Sequence, residues 1–262
     1  MFYFKTSFTE KGEEDKIKLF QEEVVMRKLI LSLLLLPSFV WGNAILKERI
    51  ASAQPGDYLV TEQGKNYTIL HIQNHDGTTL VMEEVTVPCH RKPRGFASWK
   101  EWVMGNAPGH TSWMMYRLNT ETGTMDEAFS FTKNAWYDIP KAENFLSTLL
   151  NLNFEKIPEN QRKRLGSRLG SKEKAPLWQP KMIFNGQQIP GIEFDAWRTR
   201  WPQDGSELAG KIIEAYLPMT ETPYPGYFPY WLQVCGVVGK AKVRVVDSGT
   251  GMHSPKSLPV NR

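Results

Sequence analysis

The chain has 262 residues, 41% of them hydrophobic and 12% aromatic, which is enough to build a core and argues against global disorder. A formal charge of +4 and a sequence pI of about 8.9, with no long block of one sign, is too weak a basic bias to imply nucleic acid. A Gly-x-Ser-x-Gly elbow, a Walker-type loop, a dinucleotide glycine fingerprint and a His-Glu-x-x-His helix are all missing, so the sequence names no catalytic residue and no cofactor.

Residues 1–25 carry a dense mixed-charge stretch from Glu10 to Lys18, and Met26 then opens a different grammar. Met26-Arg27-Lys28 is a positive n-region, Leu29 to Val40 a short apolar run, and Trp41-Gly42-Asn43-Ala44 a small-residue cleavage site. That run is shorter than the roughly 20 residues a membrane-crossing helix needs. The reading is an over-extended start at 1–25, a cleavable signal peptide at 26–44 with the cut after Gly42 or Ala44, and one exported β-rich domain at 45–262. The expected compartment is the periplasm or cell envelope of a bacterium.

Beyond the signal, Ile45 to Ala53 reads as a short helix ended by Gln54-Pro55-Gly56-Asp57. Tyr67–Ile72 and Thr79–Val87 are β-branched and aromatic runs joined by Asn74-His75-Asp76-Gly77, a hairpin signature. Ser98 is placed to cap a helix over Trp99–Met104. Ser112–Leu118 and Thr124–Phe131 form a second hairpin around Asn119 to Gly123. Pro140–Leu152 and Pro158–Leu165 read as a helical insertion, continued by a basic loop to about residue 175. Asn185-Gly186, between Lys181–Phe184 and Gln187–Ile189, predicts a type I′ turn. Ile192–Arg198, Lys211–Leu217, Tyr230–Val234 and Lys240–Val246 complete the strands. Short connections without strand–helix alternation imply an antiparallel meander. The expected fold is mainly β with minor α: a large curved antiparallel sheet or open half-barrel with helices over one face.

Cys89 and Cys235 are the only cysteines, and export would make a disulfide between them the default. Closing a loop of about 150 residues would constrain the unfolded chain by about 4 to 5 kcal/mol. Val245-Val246-Asp247-Ser248-Gly249-Thr250 resembles the catalytic strand-turn of aspartic proteases. That resemblance implies a second, facing Asp-Thr/Ser-Gly, which is absent, and only 15 residues follow Asp247, so Asp247 reads as an ordinary turn residue. His71 and His75, four apart, have a spacing that a metal pair can use, but no third ligand is in sequence reach and no metal is expected.

Tyr224-Pro225-Gly226-Tyr227-Phe228-Pro229-Tyr230-Trp231 is the most unusual composition in the chain. It fits either an aromatic lip for an apolar ligand or a rigid crossover packed on the sheet. With no enzyme signature, the sequence favours a non-enzymatic envelope module whose sheet holds a lipid-like ligand or meets a membrane surface. The candidate ligand residues are Trp113, Trp197, Tyr227, Phe228 and Trp231. The alternatives are a secreted hydrolase with a site scattered through the sequence, and an envelope structural or interaction protein.

Overall fold

The computed structural model describes residues 44–91, 95–138, 145–166, 175–219, 222–235 and 240–259. The proposed start, the signal peptide up to Asn43, the first part of the expected helical insertion and the centre of the basic loop lie outside the described residues. Among those described, no helix is long and apolar enough to cross a membrane.

The protein is mainly β. Its main sheet joins β1 (Tyr58–Gln63), β2 (Asn66–His75), β3 (Thr79–Pro88), β4 (Ser112–Asn119), β5 (Thr124–Ser130) and β6 (Ala135–Asp138) to β7 (Glu155–Lys156), β10 (Phe194–Arg200), β11 (Ile212–Pro218), β12 (Trp231–Cys235) and β13 (Lys240–Gly249). Their spatial order is β6-β5-β4-β3-β2-β1-β13-β12-β11-β10-β7, with 11 strands and each neighbouring pair antiparallel. Two meanders thus meet where β1 pairs with β13, Tyr58 opposite Gly249 and Glu62 opposite Arg244. A separate hairpin of β8 (Met182–Phe184) and β9 (Gln187–Ile189) turns through Asn185 at φ 49° and Gly186 at φ 78°. Two successive positive φ values are what the Asn-Gly pair was expected to supply.

Among the described residues three short helices cover the sheet: α1 (Ile45–Ala51), α2 (Trp99–Met104) and α3 (Phe145–Leu150). The Ser98 hydroxyl accepts from the Glu101 amide at 3.1 Å, and the Glu101 carboxylate accepts from the Ala97 amide at 3.0 Å, so this helix start is capped from both directions. Helices were expected over one face, but they lie on both. Leu46 and Ile50 of α1 and Leu149 and Leu150 of α3 pack with Leu59, Met82, Leu118, Met125 and Val245. Trp102 and Val103 of α2 pack against Tyr58, Val60, Ile69, Val85, Val87 and Trp113 on the opposite side. The reason is legible in β1 and β3, whose consecutive residues are buried and therefore present apolar side chains to both faces.

Three further expectations need correction. Tyr58–Gln63, absent from the expected strands, is the central strand β1. Pro158–Leu165 is not a helix; it contains one 3-10 turn at Glu159–Gln161, then extended chain whose Leu165 amide donates to the Pro176 carbonyl at 2.9 Å. The disulfide is not formed: Cys89 and Cys235 are both free thiols. Cys89 follows the end of β3 and Cys235 ends β12, with β2, β1 and β13 in between. Neighbouring strands are about 4.8 Å apart, so four spacings separate the two far beyond the roughly 7 Å limit for a bridge. The two ends of the chain are joined by the β1–β13 ladder instead.

A candidate ligand cavity on one face of the sheet

Side chains alternate along β3, so the adjacent Glu83 and Glu84 point to opposite faces of a sheet covered on both. Each face treats its carboxylate differently. Glu83 is fully buried, with Oε2 3.2 Å from Nδ1 of buried His71 on the neighbouring β2. Nε2 of His71 lies 3.1 Å from the Met252 carbonyl, which makes it the N–H donor there. The Ser254 hydroxyl donates to the other oxygen, Glu83 Oε1, at 2.7 Å. This cluster clasps the C-terminal segment onto the sheet. It is not a hydrolytic triad, because the serine is bonded to the carboxylate and both histidine nitrogens are engaged elsewhere.

Glu84 faces a cavity of about 280 Å³. β1 to β5 and β13 form its floor, Ile50 of α1 with Phe145 and Leu146 of α3 its roof, and Tyr227 and Phe228 from the crossover before β12 its side wall. Burial raises the Glu84 carboxyl above the ordinary carboxylate range, with partial opposition from the Tyr116 and Thr86 hydroxyls that face it. Burial, and then the nearby Glu84, likewise raise the Tyr116 phenol. The other hydroxyls on the floor are engaged: Thr61 donates to the Thr68 carbonyl at 3.1 Å, and Thr68 and Thr86 share a 3.3 Å contact. The Tyr227 hydroxyl donates to the Leu70 carbonyl at 2.8 Å. Gln63, Val243 and exposed Phe145 line this cavity and also a neighbouring apolar groove of about 250 Å³ with Leu208, Leu232, Val234 and Ala241.

Of the five aromatic residues read from the sequence, Tyr227 and Phe228 line this cavity. Trp113 is fully buried in the core of the opposite face, edge-on to His110 and Phe131. Trp231 is on that opposite face too, against Trp178 at 4.9 Å and beneath the Lys242 ammonium at 5.5 Å. Trp197 shares the cavity's face, but it lies three strands beyond β13, next to β7, and does not reach the cavity. Glu84 and Tyr116, the polar centre of the site, were not singled out in the sequence. The available signal was the pair Glu83-Glu84 interrupting an otherwise apolar strand, which in a sheet buried on both faces must place one carboxyl on each.

The remaining motifs have structural explanations. A β-bulge at Gln73 shifts the register of β2 and puts His75 on the face opposite His71, so the two cannot share a metal. His75 Nδ1 lies 3.0 Å from the Ala53 carbonyl. Among the described residues no group of three or more His, Cys, Asp or Glu side chains has a metal-binding arrangement. Asp247 Oδ1 accepts from the Gly186 and Ser248 amides, both at 2.9 Å, and pins the β8–β9 turn onto β13.

The described residues therefore define a mainly β protein built on one large antiparallel sheet, with a polar-centred apolar cavity under two helices. The family model described as CT021 protein matches residues 68–190, the span from β2 to β9. A solved structure of the protein CT021 from Chlamydia trachomatis is similar over 83% of this chain and 98% of that one, at 19% identity and a TM-score of 0.59, which shows a shared fold. LprF from Mycobacterium bovis overlaps 81% of this chain and 95% of its own at 8% identity, with a TM-score of 0.33. No curated protein matches the chain.

Proposed function

We propose that this protein is an exported, non-enzymatic binding module for a slender apolar ligand. The observation that carries the reading is the cavity beneath α1 and α3, in which Leu70, Met82, Met125 and Phe228 surround a single carboxyl group. Binding sites for small molecules are commonly of this kind, apolar walls with a few convergent polar groups. Liquid water occupies about 30 Å³ per molecule and a methylene is of similar size, so the cavity's 280 Å³ holds on the order of ten non-hydrogen atoms. One chain fits; two side by side do not. The sheet acts as an open half-barrel whose mouth is closed by the short helices, and the Met26–Ala44 segment sends the chain into the envelope. The alternative reading as a hydrolase draws no support from the Ser254–Glu83–His71 cluster, whose serine lacks a base.

Mass spectrometry of material extracted from gently purified protein, taken from its native cell, tests the reading. A single-chain apolar compound at near-stoichiometric amount is the expected result, and N-terminal sequencing of the same sample should begin at Asn43 or Ile45. A protein that stays empty, and takes up no apolar probe when one is offered, would remove the binding function. A stable species retaining residues 1–25 would remove the export.

A further inference from the structure

Resting on that reading, we propose that the cavity selects its ligand by an uncharged head, a hydroxyl or carbonyl group held between Glu84 and Tyr116, and turns away free carboxylates and phosphates. No lysine or arginine lines it among the described residues, so nothing there would compensate an anion removed from water. The Thr61, Thr68 and Tyr227 hydroxyls already have partners, and Glu84, which takes hydrogen bonds from Tyr116 and Thr86, still has carboxyl acceptor sites to offer, so the Glu84–Tyr116 pair is the polar centre deep in the cavity. Gln63 is exposed at the rim.

The two protonation states of Glu84 lead to the same selection. As an acid, which burial favours, it donates to the oxygen of an uncharged head group beside the tyrosine, while the absence of a cation in the lining leaves the desolvation of an anion uncompensated. As a carboxylate it accepts from a ligand hydroxyl and repels an anion. The other titratable groups that face the cavity are Tyr116 of β4 and Tyr227 of the crossover; α1 contributes Ile50, α3 Phe145 and Leu146, and β2 Thr68 and Leu70. An apolar tail then leads from Glu84 past Met82 and Met125 towards Phe145, where the neighbouring groove begins.

Three probes of equal chain length separate the possibilities: 1-octanol, octanoate and octylammonium, followed by the methyl resonances of Met82 and Met125 in the mature protein at pH 8. The expected result is that octanol shifts both methyls and binds at least about tenfold more tightly than octanoate, a difference of about 1.4 kcal/mol. Lowering the pH until octanoate is protonated should close the gap. Glu84→Gln should keep octanol binding within a few-fold and narrow the discrimination against octanoate. Octanoate binding as tightly as octanol at pH 8, or octylammonium binding most tightly of the three, overturns the head-group selection while leaving a binding cavity in place. If none of the probes moves either methyl, the selection and the binding function fall together.

Discussion

Glu83 and Glu84 are neighbours on one strand, yet the two faces of the sheet put them to opposite uses. On the Glu83 side the carboxylate is held within the protein: His71 lies against one oxygen, Ser254 donates to the other, and the second ring nitrogen of His71 meets the Met252 carbonyl. On the Glu84 side the carboxyl looks into open space between apolar walls. A buried and fully hydrogen-bonded pair serves the fold, because removing either partner strands the other. A carboxyl raised by burial, held only by the Tyr116 and Thr86 hydroxyls and facing a cavity, keeps acceptor capacity that a ligand can use. Position along the chain did not separate these roles; the strand's alternation did.

The sharpest way to break that comparison is to remove each carboxylate in turn. Glu83→Ala should cost about 3 to 5 kcal/mol in urea unfolding, because it leaves His71 and the C-terminal segment without their anchor. Glu84→Gln should change stability by less than about 1 kcal/mol, since an amide keeps the shape and removes only a group that burial disfavours when charged. Equal losses from the two would mean that Glu84 is a structural group and that the cavity is incidental.

A smaller contrast tests packing. Gly249 sits opposite Tyr58 where β13 meets β1, and a Cβ there would collide with the Tyr58 ring and the Asn185 side chain. Gly249→Ala should therefore destabilise by about 1 to 3 kcal/mol, the usual cost of overfilling a packed site. On the cavity side, Val243→Leu adds a methylene next to open space and should cost no more than about 0.5 kcal/mol. Thermal unfolding of the two variants gives the comparison directly. A tolerant Gly249 site would show that the Glu83 face is less tightly packed than its contacts imply.

How far the sequence discloses this molecule follows from the range of the forces involved. The antiparallel order, the Asn185-Gly186 turn and the Ser98 cap were readable because alternation, φ preference and capping are local. β1 was missed because Tyr58-Leu59-Val60 is apolar on both faces and shows no alternation, while its partner β13 lies nearly 190 residues away. The cysteines were misread for the same reason: both lie at strand ends, but only the strand order tells that three strands separate them. Tyr227 and Phe228 were found through composition, whereas Glu84 and Tyr116 meet only through the β3–β4 register, in which Tyr116 pairs with Met82, two residues from Glu84. A site assembled across strands has no linear motif.

The subtlest test is the pH dependence of the difference between wild type and Glu84→Gln. In the unfolded chain the Glu84 carboxyl titrates near its ordinary value of 4.5, and in the folded protein burial raises it. Below pH 4.5 both states hold the proton and the group imposes no ionisation penalty. As pH rises beyond that, the unfolded chain releases its proton first, so wild type loses stability relative to Glu84→Gln until the folded carboxyl ionises as well, after which the difference is constant. The slope cannot exceed about 1.4 kcal/mol per pH unit, and water at the cavity mouth makes it shallower. His71, Glu83 and every other titrating group are common to both proteins and cancel in the difference. Urea midpoints from pH 4 to pH 9 should show that decline and plateau. Parallel curves would mean that Glu84 is solvated like a surface carboxylate. A wild type that gains on the variant with rising pH would mean a cation stands beside Glu84, and the anion-excluding character of the cavity would be lost with it.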